Sequence, residues 1–190
     1  FIILSVIGAI VLFGCTGKTE QAKAKYVFYF IGDGMGVNQV IGTEMYLAEL
    51  EGRIGTKSLS FTSFPVRNYL TTYSATNAVT CSAAAGTALA AGTKTQNGRI
   101  GMKQDSSVLY SIACKAKQAG KAVGVTTSVA INHATPAVFY AHQPDRQMYY
   151  EIGTDAVKAE FDFYGGAGWK QVISPHDSSA IDLYSLLRDS

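Results

Sequence analysis

Charge of either sign is sparse in this chain. Sixteen Lys and Arg against fourteen Asp and Glu leave a net charge of only +2, and the basic residues are scattered. With no basic stripe to follow a phosphate backbone, nucleic acid is excluded as a partner. Histidine is scarcer still: three in 190 residues. The three cysteines make no disulfide framework, since Cys81 and Cys114 stand apart with no Cys-x-x-Cys and no neighbouring His, which also excludes a zinc knuckle. Apolar runs fall short of the roughly 20 residues that a membrane-spanning helix needs. Internal repeats are absent, and the only low-complexity stretch is a short polar one near the start. What remains is 47% hydrophobic and 16% charged, the composition of a foldable globular chain rather than a disordered one.

The first segment that is present is itself apolar. Residues 1–14, FIILSVIGAIVLFG, carry no charge and read as the core of a signal peptide. Leu12-Phe13-Gly14-Cys15 then resembles a bacterial lipoprotein cleavage box in which Cys15 is lipidated; an ordinary cleaved signal and an uncleaved anchor are the alternatives. The expectation is an exported protein, in the periplasm or at the cell surface, held to a membrane through a lipid on Cys15. Residues 16–25, small, polar and Lys-rich, suit a flexible tether, and the folded domain is expected over residues 26–190, continuing into further sequence.

Within that domain strand and helix signals alternate. An apolar run at 26–31 ends in Gly32-Asp33-Gly34, the pattern of a buried strand stopping at a tight turn. A helix is expected over 37–50, a strand over 66–72, a helix opening near Ser82, and a helix over 106–119 with Leu109, Ile112, Ala113 and Ala116 at helical spacing and Gly120 as its stop. Further strands are expected at 122–127 and 161–164, and Pro136 and Pro144 each fit the first turn of a helix. The fold class is therefore α/β, a mostly parallel sheet with helices on both faces, and ligands should gather at the carboxyl ends of its strands.

Four places carry candidate chemistry. Asp33 projects from a strand end between glycines, where it can hold a hard cation or simply bond its own turn. Ser82, in TCSAAAGTALAAG, sits where a helix begins; unpaired N–H groups and the helix dipole favour an anion at its hydroxyl, although a plain cap on an Ala-rich core helix has the same pattern. His133 and Thr135 are two apart, so in an extended segment they share a side and can share a metal. Arg146, expected on a helix after Pro144, has the fork that fits two phosphate oxygens, or pairs with a surface acid. His142, His176 and Cys114 read as structural.

The set is more specific than its parts. IGDGMG, TYSATNAVTCSAAAGTALAAGTKTQNG and VGVTTSVAINHATPAVFYAHQPDR follow one another in the order and approximate spacing of alkaline phosphatases, and the chain resembles that family from about Tyr26 to at least Gly166. The resemblance implies hydrolysis of phosphate monoesters with Ser82 as the phosphorylated nucleophile, Arg146 gripping the phosphate, Asp33 bridging a zinc and the magnesium site, and His133 with Thr135 at that magnesium site. Two zinc ions and one magnesium, with zinc as a substitute at the third site, are the implied cofactors, and a homodimer is compatible with it. Its remaining ligands, an Asp-x-x-x-His, an Asp-His pair and a later His, are expected beyond this sequence, so residues 1–190 alone are expected to be inactive.

Two positions depart from the family pattern. Cys81 stands where the family usually has Asp before its serine, and it offers Arg146 no carboxylate. His133 occupies a position that is Asp in some members and His in others, which bears on the choice between magnesium and zinc. A phosphodiesterase or sulfatase of the same superfamily, or a silent phosphate- or metal-binding lipoprotein, are the competing readings. The Cys/Ser-x-Pro-x-Arg setting of a sulfatase nucleophile is not found around Ser82.

Overall fold

Ala122 to Thr127 is rich in small and β-branched residues, and its centre forms strand β1, Gly124–Thr126. The aromatic stretch after residue 160 gives β2, Phe163–Gly165. They pair in parallel, with Gly124 opposite Phe163, Val125 opposite Tyr164 and Thr126 opposite Gly165. The computed structural model in which they lie describes residues 24–188. Backbone bonds carry the pairing past the strand ends, from Thr127 to Gly165, Ala167 to Val129 and Ile131 to Gly168, each at 2.9 Å. That extension brings residues 129–133 to the carboxyl end of the sheet, where open parallel sheets place their ligands.

A parallel pair needs a crossover, and here it runs through two helices, α4 (Ala134–Ala137) and α5 (Tyr149–Ala159). Before the sheet come α1 (Val37–Glu49), a 3-10 turn at Phe61–Ser63, α2 (Ser82–Ala91) and α3 (Ile112–Gln118); α6 (Leu183–Arg188) follows it. The core joins α2, α4, α5 and β1 through Ala83, Ala90, Ala134, Ala137, Val138, Ile152, Ala156 and Val125. Small side chains let α2 and α4 approach closely: a Cβ built on Gly86 would meet Val138 Cγ2 at 2.9 Å.

Several expectations are corrected. Residues 24–31 fall in a unit separate from residues 32–188, and the run 26–31 forms no strand. Residues 66–72 are likewise loop, with Val66, Tyr69 and Leu70 exposed. Apolar patterning states that a segment can be buried, but a strand forms only where another strand completes its ladder. The 106–119 helix is shortened to α3 because Ser106 adopts a positive φ of 69° and the Ser111 hydroxyl caps the helix by accepting from Cys114 N–H at 3.0 Å. Gly120, at φ 73°, does follow the helix end.

Pro144 does not open a helix. Around it the backbone is committed elsewhere: Gln143 exchanges both bonds with Ile100, Arg146 N–H goes to Gly98, and Gln147 N–H goes to the Asp145 carboxylate. The helix is postponed to Tyr149, and Arg146 lies in a turn rather than on a helix. The signal segment 1–15, with Cys15, lies outside the described residues, as does nearly all of the 16–25 tether.

Candidate active site

Asp33 is the second residue of a turn closed by Met35 N–H to Gly32 O at 3.1 Å. The turn depends on Gly34, whose φ of 68° a side chain would strain. This leaves the Asp33 carboxylate free to meet residues distant in sequence. Ser82 Oγ donates to its Oδ2 at 3.0 Å and lies 3.2 Å from Oδ1, while Thr135 Oγ1 donates to the same Oδ2 at 2.7 Å. The Thr135 hydroxyl, and with a smaller effect the Ser82 hydroxyl and the nearby His133 and Arg146 side chains, hold Asp33 below the usual carboxylate range against the opposing effect of burial. It is an anion at neutral pH.

Ser82 is the first residue of α2, with Cys81 as its N-cap, so its hydroxyl stands beside the unpaired N–H groups of the helix start. The approach to that helix is pinned from the 96–99 turn. Asn97 accepts Cys81 N–H on its side-chain oxygen at 3.2 Å and donates its amide to Val79 O at 3.0 Å. Gly98 N–H donates to Cys81 Sγ at 3.1 Å, and Gly98 O receives Arg146 N–H at 2.8 Å. Burial pushes the Cys81 thiol up, but the N–H groups of Ala84, Gly98 and Ala83 and the Arg146 guanidinium outweigh it and hold the thiol below its ordinary range. Arg146 is therefore beside the nucleophile candidate even though residue 81 is not a carboxylate.

His133 and Thr135 do not share an extended segment. His133 is the N-cap of α4, and Thr135 lies inside its first turn; the helix start rather than strand alternation turns both toward Asp33. Arg146 Nη2 lies 3.1 Å from His133 Nε2. A guanidinium can only donate, so Nε2 accepts, and the imidazole is neutral with its proton on Nδ1. Burial first, then the charges of Arg146 and Lys170, depress the affinity of His133 for a second proton, with Asp33 acting weakly the other way.

Three oxygen donors, from Asp33, Ser82 and Thr135, thus converge beside an imidazole whose buried Nδ1 has no partner. The three oxygens fit a hard cation, whereas the imidazole, with Nε2 accepting from Arg146 and its proton on Nδ1, would become a zinc ligand only by releasing one of the two. It is a partial set: among the described residues, no three of His, Cys, Asp and Glu gather to hold a metal.

All five sequence candidates in the described region are therefore adjacent. His142 and His176 stay outside, His142 against Gly101 O at 3.0 Å and edge-on to Tyr110, and His176 in a loop bonded to Ser174. Cys114 packs against the core and bonds Phe139 O, as expected. Sequence reading missed Asn97, Gly98, Asn132 and Lys170. The Asn97-Gly98 pair is a turn signal that marks its own position; nothing in sequence distinguishes Asn132.

The alkaline phosphatase family model matches residues 24–164. The alkaline phosphatase of Gadus morhua is 35% identical over 153 residues, 74% of this chain but 32% of its own length; the chain thus spans about a third of that relative. Alkaline phosphatase from the Antarctic bacterium TAB5 superposes with a TM-score of 0.71 at 31% identity, over 83% of this chain and 43% of that one. A variant of that enzyme in which a histidine is replaced by aspartate, with Mg bound in the M3 site, gives a TM-score of 0.71 at 30% identity, over 83% and 42%. On the match over most of its length and on the shared α/β fold, the chain belongs to the alkaline phosphatase family.

Proposed function

We propose that the intact protein hydrolyses phosphate monoesters through a phosphoserine formed on Ser82. The observation that carries this reading is the double hydrogen bond to Asp33, which joins Ser82 to Thr135 beside His133 and Arg146. A phosphate monoester dianion repels nucleophiles, so its hydrolysis requires positioning and positive charge. Asp33, Ser82, His133 and Thr135 would hold part of the metal set. Zinc and magnesium ions bound there would supply the charge that lowers the pKa of the Ser82 hydroxyl and stabilises the leaving oxygen. Magnesium in the M3 site of the Antarctic variant supports that metal as one of them.

Ser82 Oγ attacks phosphorus in line, its proton is released, and the bond from phosphorus to the leaving oxygen breaks. Arg146 and the N–H groups at the start of α2 face the equatorial oxygens. Water then cleaves the phosphoserine, returning the Ser82 hydroxyl and inorganic phosphate. Since contacts fall on the phosphate, the alcohol portion is weakly selected. We further propose export and a lipid on Cys15, which the apolar stretch before it supports.

The test is turnover by the full-length protein of an aryl phosphate, an aryl phosphodiester and an aryl sulfate. Preference for the monoester is expected. Preference for either of the others moves the protein to another activity of the superfamily, and turnover of none makes it a binding protein.

A further inference from the structure

One buried side chain near the site binds three segments at once. Asn132 is fully buried (0% exposed). Its amide nitrogen donates both hydrogens, to Tyr149 O at 2.8 Å and to Lys170 O at 2.7 Å, and its oxygen accepts Lys170 N–H at 2.9 Å. Asparagine has two such donors, and both are used. Tyr149 is the first residue of α5, just beyond the turn that carries Arg146. Lys170 follows the loop after β2, and its Nζ sits over the Tyr149 ring, 5.0 Å from the centroid. Asn132 itself immediately precedes His133, whose N–H closes a turn onto Ala130 O at 2.9 Å.

We propose that Asn132 is a positioning residue of the phosphate site, fixing the Arg146 turn and the Lys170 loop against the segment that carries His133 and Thr135. The proposal rests on the reading of Arg146 as the phosphate ligand. Arg146 is otherwise tied by its own N–H to Gly98 and by its guanidinium to His133; Met148 N–H to Asp145 O and Tyr149 N–H to Gln147 O carry its turn into the start of α5, and none of these bonds joins that start to the Lys170 loop. The Asn132 amide supplies that link. Without it, Tyr149 O and Lys170 O lose a donor in a buried setting, so the two segments separate or admit water.

The test is a double-mutant cycle on the full-length, metal-loaded protein, reading the Kd of inorganic phosphate by titration calorimetry. Asn132→Ala is expected to weaken phosphate binding about tenfold when Arg146 is present and less than about twofold in an Arg146→Ala background, because the same contact is removed either way. Metal content should stay at the wild-type level in both. Equal effects in the two backgrounds, or none in either, overturn the proposal. Asn132→Ser, which keeps one polar group, enters the same cycle if Asn132→Ala does not fold; a protein that folds with neither assigns Asn132 to stability and also overturns it. Wild-type protein that binds no phosphate removes the phosphatase reading together with this one, whereas binding with additive effects removes this one alone.

Discussion

Gly98 receives the main-chain N–H of Arg146 on its carbonyl oxygen at 2.8 Å. Its own N–H points the other way, to Cys81 Sγ at 3.1 Å, so one residue with a φ of 92° spans from the cap of α2 to the turn that carries Arg146. A side chain there has space, since nothing lies within 4 Å of a built Cβ, and the cost of one is conformational. Gly98→Ala is expected to destabilise the protein by about 1 to 2 kcal/mol and to raise KM for an aryl phosphate more than it lowers kcat. Urea unfolding and steady-state kinetics on the full-length protein check both; unchanged KM would detach the Gly98 bond from substrate binding.

Ser82→Ala removes the proposed nucleophile and one donor to Asp33. Phosphorylated protein should disappear from acid-quenched mass spectra, and kcat should drop by on the order of 10³ or more. Turnover within a few-fold of wild type would reassign the nucleophile.

Sequence displayed the candidate site residues better than the scaffold. Asp33, Ser82, Thr135, His133 and Arg146, each legible in a motif, lie together in the structure, because their local settings are glycines, small residues and turns that sequence displays directly. Strands were half right. The β1 and β2 segments pair with each other inside the described region, whereas the runs at 26–31 and 66–72 form no strand, and no periodicity encodes which segments find a partner. Pro144 misled for a related reason: a proline permits a helix start, but the N–H groups of Gln143, Arg146 and Gln147 were already committed to Ile100, Gly98 and Asp145. Asn132 could not be singled out, since its three bonds join residues 17 and 38 positions away.

His133 makes stability depend on pH in a predictable sense. Its folded-state pKa lies below 6.5, through burial first and then the charges of Arg146 and Lys170. As pH falls past 6.5 the unfolded chain takes up a proton that the folded protein refuses, so stability is full above that value and declines below it, until the folded pKa is passed. In the metal-free full-length protein, Tm is expected to fall between about pH 7.5 and 5.5 more steeply for wild type than for His133→Gln. Parallel Tm profiles would show that His133 does not contribute to the acid-side loss.

Gly86 tests the contact between α2 and α4. Alanine is the better helix former by about 1 kcal/mol, yet its Cβ would lie 2.9 Å from Val138 Cγ2 and 3.1 Å from Cγ1, and overpacking a stiff neighbour costs about 1 to 3 kcal/mol. Gly86→Ala alone should therefore destabilise. In a Val138→Ala background the obstruction is gone, and the same change should stabilise by up to about 1 kcal/mol. The reversal of sign in chemical denaturation is the readout; equal signs would mean the helices are not in contact there.

Cys15→Ala is expected to move the protein from the membrane to the soluble fraction of producing cells and to remove the mass of acyl chains from its amino terminus. Membrane retention without acyl mass would leave the apolar segment itself as the anchor.

Because Gly86 presents bare backbone to the Val138 side chain at the end of α4, α2 and α4 meet closely there, and Ser82 and Thr135 stand at the starts of the helices so joined. Their separation is set by one rigid crossing, not by adjustable packing. Substitutions that alter stability would then leave that crossing alone and fall on the loops around it, at 66–73 and 166–176, without changing where the hydroxyls meet Asp33.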